Sequence, residues 1–578
     1  MKHILALTLT LAAAPAFATT YYVNSATGSN TNNGTAITTP FATLQKGADS
    51  TAAGDTVYVL PGNGYGGGTS GVAPLVISIS GTGGGTGAGG SCTNPITFSG
   101  YPGLPKPVIA GTRADATIKG TNPLSCIVVN GFELAGWNPA ISWVGASINA
   151  GLGGTGWGTN LSYNAKGLFI AGATGTANIV HHITVTNNVV HDFPMDGISI
   201  NYADYVTAAG NVSYGNALYS GYSGSGISLY EPHNIDAGTG TKIIVSSNKA
   251  YANLNLIPNL AASPLRFTTS AASGTGSNSL TFTATTGVNY TMAVIEGTNG
   301  CIPPGTIVNT WSGTTVTLSK PTTCAVGSGD AIVLNYITDG EGVIIDNNSN
   351  SQSDAIAYVG RTLVTNNIAF NNGSSGLECG PTSNNCDVTF NTNYQNETSY
   401  TGNSGAPGEI SMAASTGSNI LNNIVYALSG TPNFASNTGG SGTTWGNNVV
   451  FGGNNTNTTP GTANVVADPL FVSPGASAAT ADFHLQAPSP AYHAGSLSWT
   501  RTTDYAGAAG STGGAYDIGA YQWGAVPPCT TSGTGTLRTP QYFVNALSAA
   551  NTAGAVTEQL LADLTLSLSC QTTGVWAH

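Results

Sequence analysis

The stretch Ile183-Thr184-Val185-Thr186-Asn187-Asn188-Val189-Val190-His191 returns as Val206 to Tyr214 and again as Ile243 to Tyr251. Each copy holds two apolar residues two apart, an Asn three residues further on (Asn188, Asn211, Asn248) and a ring at the end (His191, Tyr214, Tyr251). The frame fits again around Asn367, Asn391, Asn423 and Asn448. Apolar residues two apart specify a short strand with one buried face, and the Asn is expected to supply the left-handed bend that ends it. Where nothing intervenes, the spacing between frame asparagines is 23 to 25 residues. A strand and a bend repeated at that interval describe one coil of a solenoid.

A second strand follows in each coil. It reads Gly197-Ile198-Ser199-Ile200, Gly226-Ile227-Ser228-Leu229, Gly342-Val343-Ile344-Ile345 and Gly376-Leu377-Glu378-Cys379. Because the step from Asn188 to Gly197 equals that from Asn367 to Gly376, longer segments must leave the coil at fixed corners without shifting its register. Equivalent residues then stack at the strand spacing of about 4.8 Å, Asn over Asn and ring over ring. The fold class expected is all-β: a right-handed parallel β-helix with a small β insertion and a short helical C-terminal tail.

Composition agrees. Only 7% of residues are charged, Gly numbers 79, and the net charge is −12, a balance that suits a turn-rich stacked β-protein and excludes nucleic acid as a partner. Lys2, His3, the apolar run Ile4 to Ala14 and the small residues around Phe17 read as a signal peptide over 1–18, so the protein is expected to be secreted, periplasmic or on the cell surface, with no membrane span. Eight cysteines fall as near neighbours: Cys92 and Cys126, Cys301 and Cys324, Cys379 and Cys386, Cys529 and Cys570. In an exported chain they read as disulfides, sequential pairing being the simplest arrangement.

The β-helix is expected over 19–524, interrupted by a β-rich insertion at 260–336 that emerges at the corner after Asn248. Alternating strands between Gly- and Thr-rich turns carry that reading. Pro40 opens a short helix that covers the N-terminal end of the core with Phe41, Leu44 and Ala48. Residues 525–578 form a linker and a capping or attachment segment, with Leu560, Leu561, Leu564 and Leu568 at helical spacing.

Tyr21-Tyr22-Val23-Asn24, Pro40 to Lys46 and Gly54 to Val59 resemble the opening of exported pectate-lyase-like β-helix proteins. Asp468-Pro469-Leu470-Phe471, Asp482 to Leu485, Ser489-Pro490-Ala491 and Asp517 to Tyr521 are similar to the closing segment of the same superfamily. The resemblance spans roughly Tyr21 to Gly524 and implies an architecture shared by polysaccharide lyases and glycoside hydrolases. One departure stands out: no adjacent Asp-Asp calcium pair occurs in a coil here.

In so charge-poor a chain, the loops where charge gathers are the candidate site. Asp196, Ser225, Glu341 and Ser375 precede the frame glycines, with Asp339 two residues before Glu341. A second row holds Asn201 and Asp204, then Glu231, His233 and Asp236, then Asp346, Asp354 and Arg361. Two chemistries fit. In β-elimination from a uronic-acid polymer, a Ca²⁺ held by Asp192, Asp196, Asp339 and Glu341 would neutralise the substrate carboxylate, and Lys249 or Arg361 would remove the adjacent proton. In hydrolysis, Asp196 with Glu341, or either with Glu231, would act as paired carboxylates at the separation of an inverting enzyme, with His233 beside them. Tyr202, Tyr230 and Asp346 are the candidate substrate contacts. The expectation is a secreted protein that cleaves an acidic polysaccharide by β-elimination, the alternatives being hydrolysis and polysaccharide binding without turnover.

Overall fold

A computed structural model describes residues 18–523, apart from 68–70, 84–91, 121–122, 153–156, 381, 400–407, 413–414, 433–439, 455–459, 476–479 and 510–515. The signal peptide expected over 1–18 falls, but for its last residue, outside the described residues, as does the tail expected over 525–578 with Cys529 and Cys570.

Three long parallel sheets run the length of the molecule, with 11, 11 and 8 strands. Successive strands of one coil belong to different sheets: Val180–Thr186 to sheet I, Val189–His191 to sheet II and Ile198–Asn201 to sheet III. The next coil repeats the order with Ala203–Ala209, Val212–Tyr214 and Ile227–Tyr230. This is a right-handed parallel β-helix, the hand that right-twisted strands favour in parallel crossovers. Its interior is one continuous stack in which Ile183, Val206 and Ile243 lie on neighbouring strands, as do Ile198, Ile227, Val343 and Leu377, all buried. No helix among the described residues is long and apolar enough to cross a membrane.

The corner between sheets I and II holds the frame asparagines, and here the reading of the bend needs correction. Asn187, Gly210, Ser247, Asn366, Phe390, Asn422 and Asn447, each one residue before a frame Asn, take the left-handed conformation. The frame Asn does different work. Asn248 Oδ1 accepts from the backbone N–H and the Nδ2 of Asn211 at 2.9 and 3.0 Å, while its own Nδ2 donates to Ala208 O and Asn367 Oδ1, both at 2.9 Å. The pattern runs unbroken from Asn188 to Asn464. Each buried amide of this row is satisfied by the coils on either side, and the row begins where Phe132 N donates to Asn188 Oδ1.

A second amide ladder stands at the corner between sheets II and III. Asn216, Asn253, Asn372 and Asn396 repeat the same bonds, and the row ends on Glu409, whose two oxygens accept from Asn396 N and Nδ2 at 2.8 and 2.5 Å. The chain makes its excursions from this corner. The insertion leaves after Lys249–Tyr251, and so emerges one corner later than the sequence suggested. It comprises two three-stranded antiparallel sheets around a separate core that includes Leu280, Phe282, Val308 and Val316, closed by Cys301–Cys324. An earlier excursion over 136–165, not anticipated, contributes the helix Trp143–Gly151 on which the insertion rests: Ser147 Oγ donates to Glu296 O at 2.6 Å, and Trp143 Nε1 to Ile302 O at 2.7 Å. Gly151 and Gly297 meet so closely that a Cβ on Gly151 would lie 2.0 Å from Gly297 Cα.

Both ends of the sequence serve the core. The helix at the N-terminus is Leu44–Asp49, capped by Thr43, and starts later than Pro40 implied; Phe41, Leu44 and Ala48 are buried as expected. The segment from Phe471 to Ala520 packs on the outer face of sheet II, burying Ile368, Phe370, Ile424 and Val449. Cys92–Cys126 and Cys379–Cys386 complete the disulfides among the described residues, in the sequential pairing.

Candidate functional site

Strand alternation divides sheet III into an inward apolar face and an outward polar one. The outward rows are Ser199, Ser228, Ile344, Glu378, Ser411 and, two residues on, Asn201, Tyr230, Asp346, Gly380. On one side the excursions 136–165, 215–226 and 252–342 rise as a wall; on the other stands the loop 347–360. The outer face of sheet III is therefore the floor of a groove running along the solenoid.

Carboxyl groups crowd this floor. Asp346 and Glu378 point outward from neighbouring strands and are partly exposed. Gly380, in register with Asp346, has no side chain, and the Glu378 carboxyl leans over it: a Cβ there would lie 2.5 Å from Glu378 Oε1. Glu378 thus sets its carboxyl beside that of Asp346. Glu341, buried behind them, accepts from Ser225 Oγ at 2.7 Å, and Ser225 N donates to Asp196 Oδ1 at 2.9 Å. Ser225 thereby joins the two carboxylates that the sequence places two coils apart. Asp339 enters from the wall in a left-handed conformation (φ 59°), followed by Gly340 (φ 87°), whose N–H is bound by Gly224 O at 2.8 Å. The facing cation is Lys166, with Nζ 4.0 Å from Asp196 Oδ2 and 4.2 Å from the centre of the Phe169 ring.

Burial, with mutual repulsion among several of them, raises the carboxyls of this cluster. Burial first, then the charges of Glu341 and Glu231, push Asp346 up to about 7. Glu378 and Asp339 are driven well above the ordinary carboxylate range, by burial and then by Glu341 and Asp346. Glu341 and Asp196 rise too, chiefly by burial, against the Ser225 hydrogen bonds to both and the Lys166 charge at Asp196. Burial lowers Lys166, opposed by Asp196 and Asp115.

The other residues singled out from the sequence separate from this cluster to different degrees. Tyr230 stands next to Asp346 on the floor, with Tyr202 edge-on to it at 5.8 Å. Glu231 and His233 form the groove's far shoulder and tie down the loop 347–360. Glu231 Oε1 accepts from Asn347 Nδ2 and Gln352 N at 2.8 and 3.0 Å; His233 contacts Asp354 Oδ2 at 3.2 Å and the Glu231 carbonyl at 2.8 Å. Lys249 and Arg361 are elsewhere. Lys249 lies on sheet II between Val212 and Ile368, beside the Tyr251 and Phe370 rings. Arg361 lies on sheet I in a two-pronged pair with Asp387. Neither can serve as the base expected of it in this groove.

The calcium set also fails to assemble. Asp192 sits at the exit of sheet II, paired with His191 at 2.8 Å, and no three His, Cys, Asp or Glu side chains among the described residues gather in an arrangement that could hold a metal ion. The oxygens of Asp192, Asp196 and Asp339 do not fit a shared Ca²⁺.

No family model matches the chain, and no curated protein matches it. Among solved structures, pectate lyase Pel9A aligns over 87% of this chain and 96% of its own at 16% identity, with a TM-score of 0.41. The GH136 lacto-N-biosidase from Eubacterium ramulus aligns over 75% of this chain and 56% of its own, at 10% identity and a TM-score of 0.36. A rhamnogalacturonan lyase aligns over 79% and 91%, at 12% identity and a TM-score of 0.32. At these values the likeness assigns no activity and no residue, and the chemistry must be argued from the groove itself.

Proposed function

We propose that the sheet III groove cleaves a polysaccharide by hydrolysis, through Asp346 and Glu378. The observation that carries this reading is the placement of the Glu378 carboxyl over Gly380, one strand from Asp346. Gly380, over which the Glu378 carboxyl leans, is the register partner of Asp346, about 4.8 Å away across the strands, so the lean brings the two carboxyls toward the about 5–5.5 Å separation of a retaining glycosidase although Glu378 itself sits two residues out of register. Glu378, the residue driven well above its ordinary range, is the acid that protonates the glycosidic oxygen as the bond to the anomeric carbon breaks. Asp346 in its ionised form attacks that carbon. Water then adds to the anomeric carbon, giving its proton back to Glu378 and releasing Asp346. Glu341, buried and bonded by Ser225, adds to the effect of burial in raising Glu378.

Lys166 supports a second reading at the same place. A lysine whose pKa is lowered by burial and which stands by Asp196 has the chemistry of a base for β-elimination. The mutual repulsion that adds to burial in raising Asp339, Asp346 and Glu378 would act equally on the carboxylates of a uronic-acid chain, and this favours hydrolysis of a neutral one.

The test is incubation with neutral and uronic-acid polysaccharides, measuring new reducing ends and unsaturated ends separately, with and without chelator. Reducing ends without unsaturation, unchanged by chelator, with the anomeric configuration retained, are the expected result. Glu378→Gln is expected to lower the rate at least about 10³-fold, and the rising limb of the pH profile should lie near 7, where Asp346 ionises. Unsaturated products lost in Lys166→Ala but kept in Glu378→Gln would replace hydrolysis by elimination.

A further inference from the structure

The wall of the groove carries an aromatic pair that the acid chemistry does not use. Tyr222, in the turn between sheets II and III, is 46% exposed, and its ring lies 4.7 Å from that of Trp157 on the preceding excursion. An exposed tyrosine is ordinary, but an exposed tyrosine held this firmly is not.

Two glycines fix its seat. A Cβ on Gly158 would lie 2.5 Å from Tyr222 Oη, and one on Gly221 would lie 3.0 Å from Trp157 Cε3 and 2.6 Å from Leu260 Cδ1. Trp157 is anchored from below by the cluster of Ile257, Leu260 and Ile295. Asn164 ties the two loops together, donating to Trp157 O and accepting from Ser220 Oγ at 2.9 Å, while Ser220 Oγ in turn accepts from Tyr222 N at 3.1 Å. The ring is therefore immobilised before any ligand arrives, so a partner would lose little entropy in meeting it.

Its place links it to the carboxylates. Ser223 Oγ meets Thr338 Oγ1 at 2.7 Å, Gly224 O binds the N–H that follows Asp339, and Ser225 touches both Asp196 and Glu341. Tyr222 precedes the floor strand Ile227–Tyr230 by five residues, on the side where the chain enters it, while Tyr230 ends that strand about 10–13 Å further on.

We infer that Tyr222, braced by Trp157, is the platform on which one ring of a neutral glycan stacks as it enters the groove. A sugar ring offers a face of C–H bonds to the electron-rich face of an aromatic ring while its hydroxyls stay wet, and the Tyr222 phenol keeps a polar edge beside them. The inference rests on the groove being a glycan site, though not on its cleaving anything. Tyr222 is a positioning residue, remote from the bond that breaks.

The experiment titrates the full chain with xylohexaose, cellohexaose, mannohexaose and hexagalacturonate, by calorimetry and by tryptophan fluorescence. At least one neutral hexasaccharide should bind and alter an emission that Trp157→Phe removes. Tyr222→Ala should weaken it about ten-fold, and Tyr222→Phe should stay within about two-fold because the ring face remains. Lys249→Ala, on sheet II away from the groove, should bind as the wild type does. If Tyr222→Ala binds as tightly as the wild type, if hexagalacturonate alone binds, or if no neutral hexasaccharide binds, the inference is overturned. Binding that depends on Tyr222 in a protein that cleaves nothing would instead overturn the hydrolytic reading and leave this one standing.

Discussion

The two corners beside sheet II use one device to opposite ends. Between sheets I and II, an amide ladder closes a bend only a few residues long, and no excursion leaves it from Asn188 to Asn448. Between sheets II and III, the same bonds join Asn216, Asn253, Asn372 and Asn396, yet the chain departs there for the whole antiparallel insertion and returns with Gly342 still in step with Gly226. A ladder of buried amides fixes the coil on either side of an excursion, so loop length can vary at small cost while the floor keeps its register. The plain corner supplies stiffness, and the elaborated corner spends it on building a wall beside the carboxylates.

The sharpest way to break this comparison is to cut one rung at each corner. Asn248→Ala orphans the buried Asn211 N–H and Nδ2, and should cost about 3 kcal/mol, read as a lower urea midpoint. Asn253→Ala removes the same two acceptor bonds from Asn216, but the chain beyond it is already leaving the coil. It should cost about half as much and expose the insertion's connections to limited proteolysis. Equal losses, with no new cleavage, would show that the two corners do not differ in stiffness.

A subtler contrast lies in charge. Asp339 is raised well above the ordinary carboxylate range in the folded protein by burial and then by its carboxylate neighbours. Its folded pKa lies above the unfolded one, so the stability it contributes is complete below the ordinary carboxylate range and is lost as pH rises through the raised value. Asp339→Asn should therefore match the wild type at pH about 4 and melt higher at pH about 8, a gap that opens with pH. A gap of the opposite sign would mean that Asp339 is paired with a cation in the groove.

Much of this was legible in the residues. The first ladder stood out because short coils repeat without interruption. The second was equally present, an Asn five residues after each of Asn211, Asn248, Asn367 and Asn391, but excursions separate its members from the strands they precede. Glu378 was written in the frame Gly376-Leu377-Glu378-Cys379, and alternation between the inward Leu377 and Cys379 already turned it outward. It does not stand out because the charges that recur in the frame, Asp196 and Glu341, precede the glycine, whereas Glu378 follows it. No periodicity could reveal Trp157 against Tyr222, since their contact depends on how two unrelated loops fold over one another.

The smallest effect tests the assignment of faces. Lys249 reads as a base from the sequence because it is one of few cations and follows a frame Asn. That same position, immediately after the Asn, puts its strand in sheet II, which shares no floor with sheet III. Its stem lies along the Tyr251 and Phe370 rings and its charge faces Asp482, so burial lowers its pKa without bringing it to a substrate. Lys249→Ala should cost at most about 1 kcal/mol, from lost packing of the stem, and leave turnover within about two-fold, whereas Lys166→Ala should change the pH profile through Asp196. A Lys249→Ala protein that folds but has lost its activity would move the reacting centre to the flank of the solenoid, because no distortion of a surface lysine on sheet II reaches Asp346 through a core stacked and hydrogen-bonded on both sides.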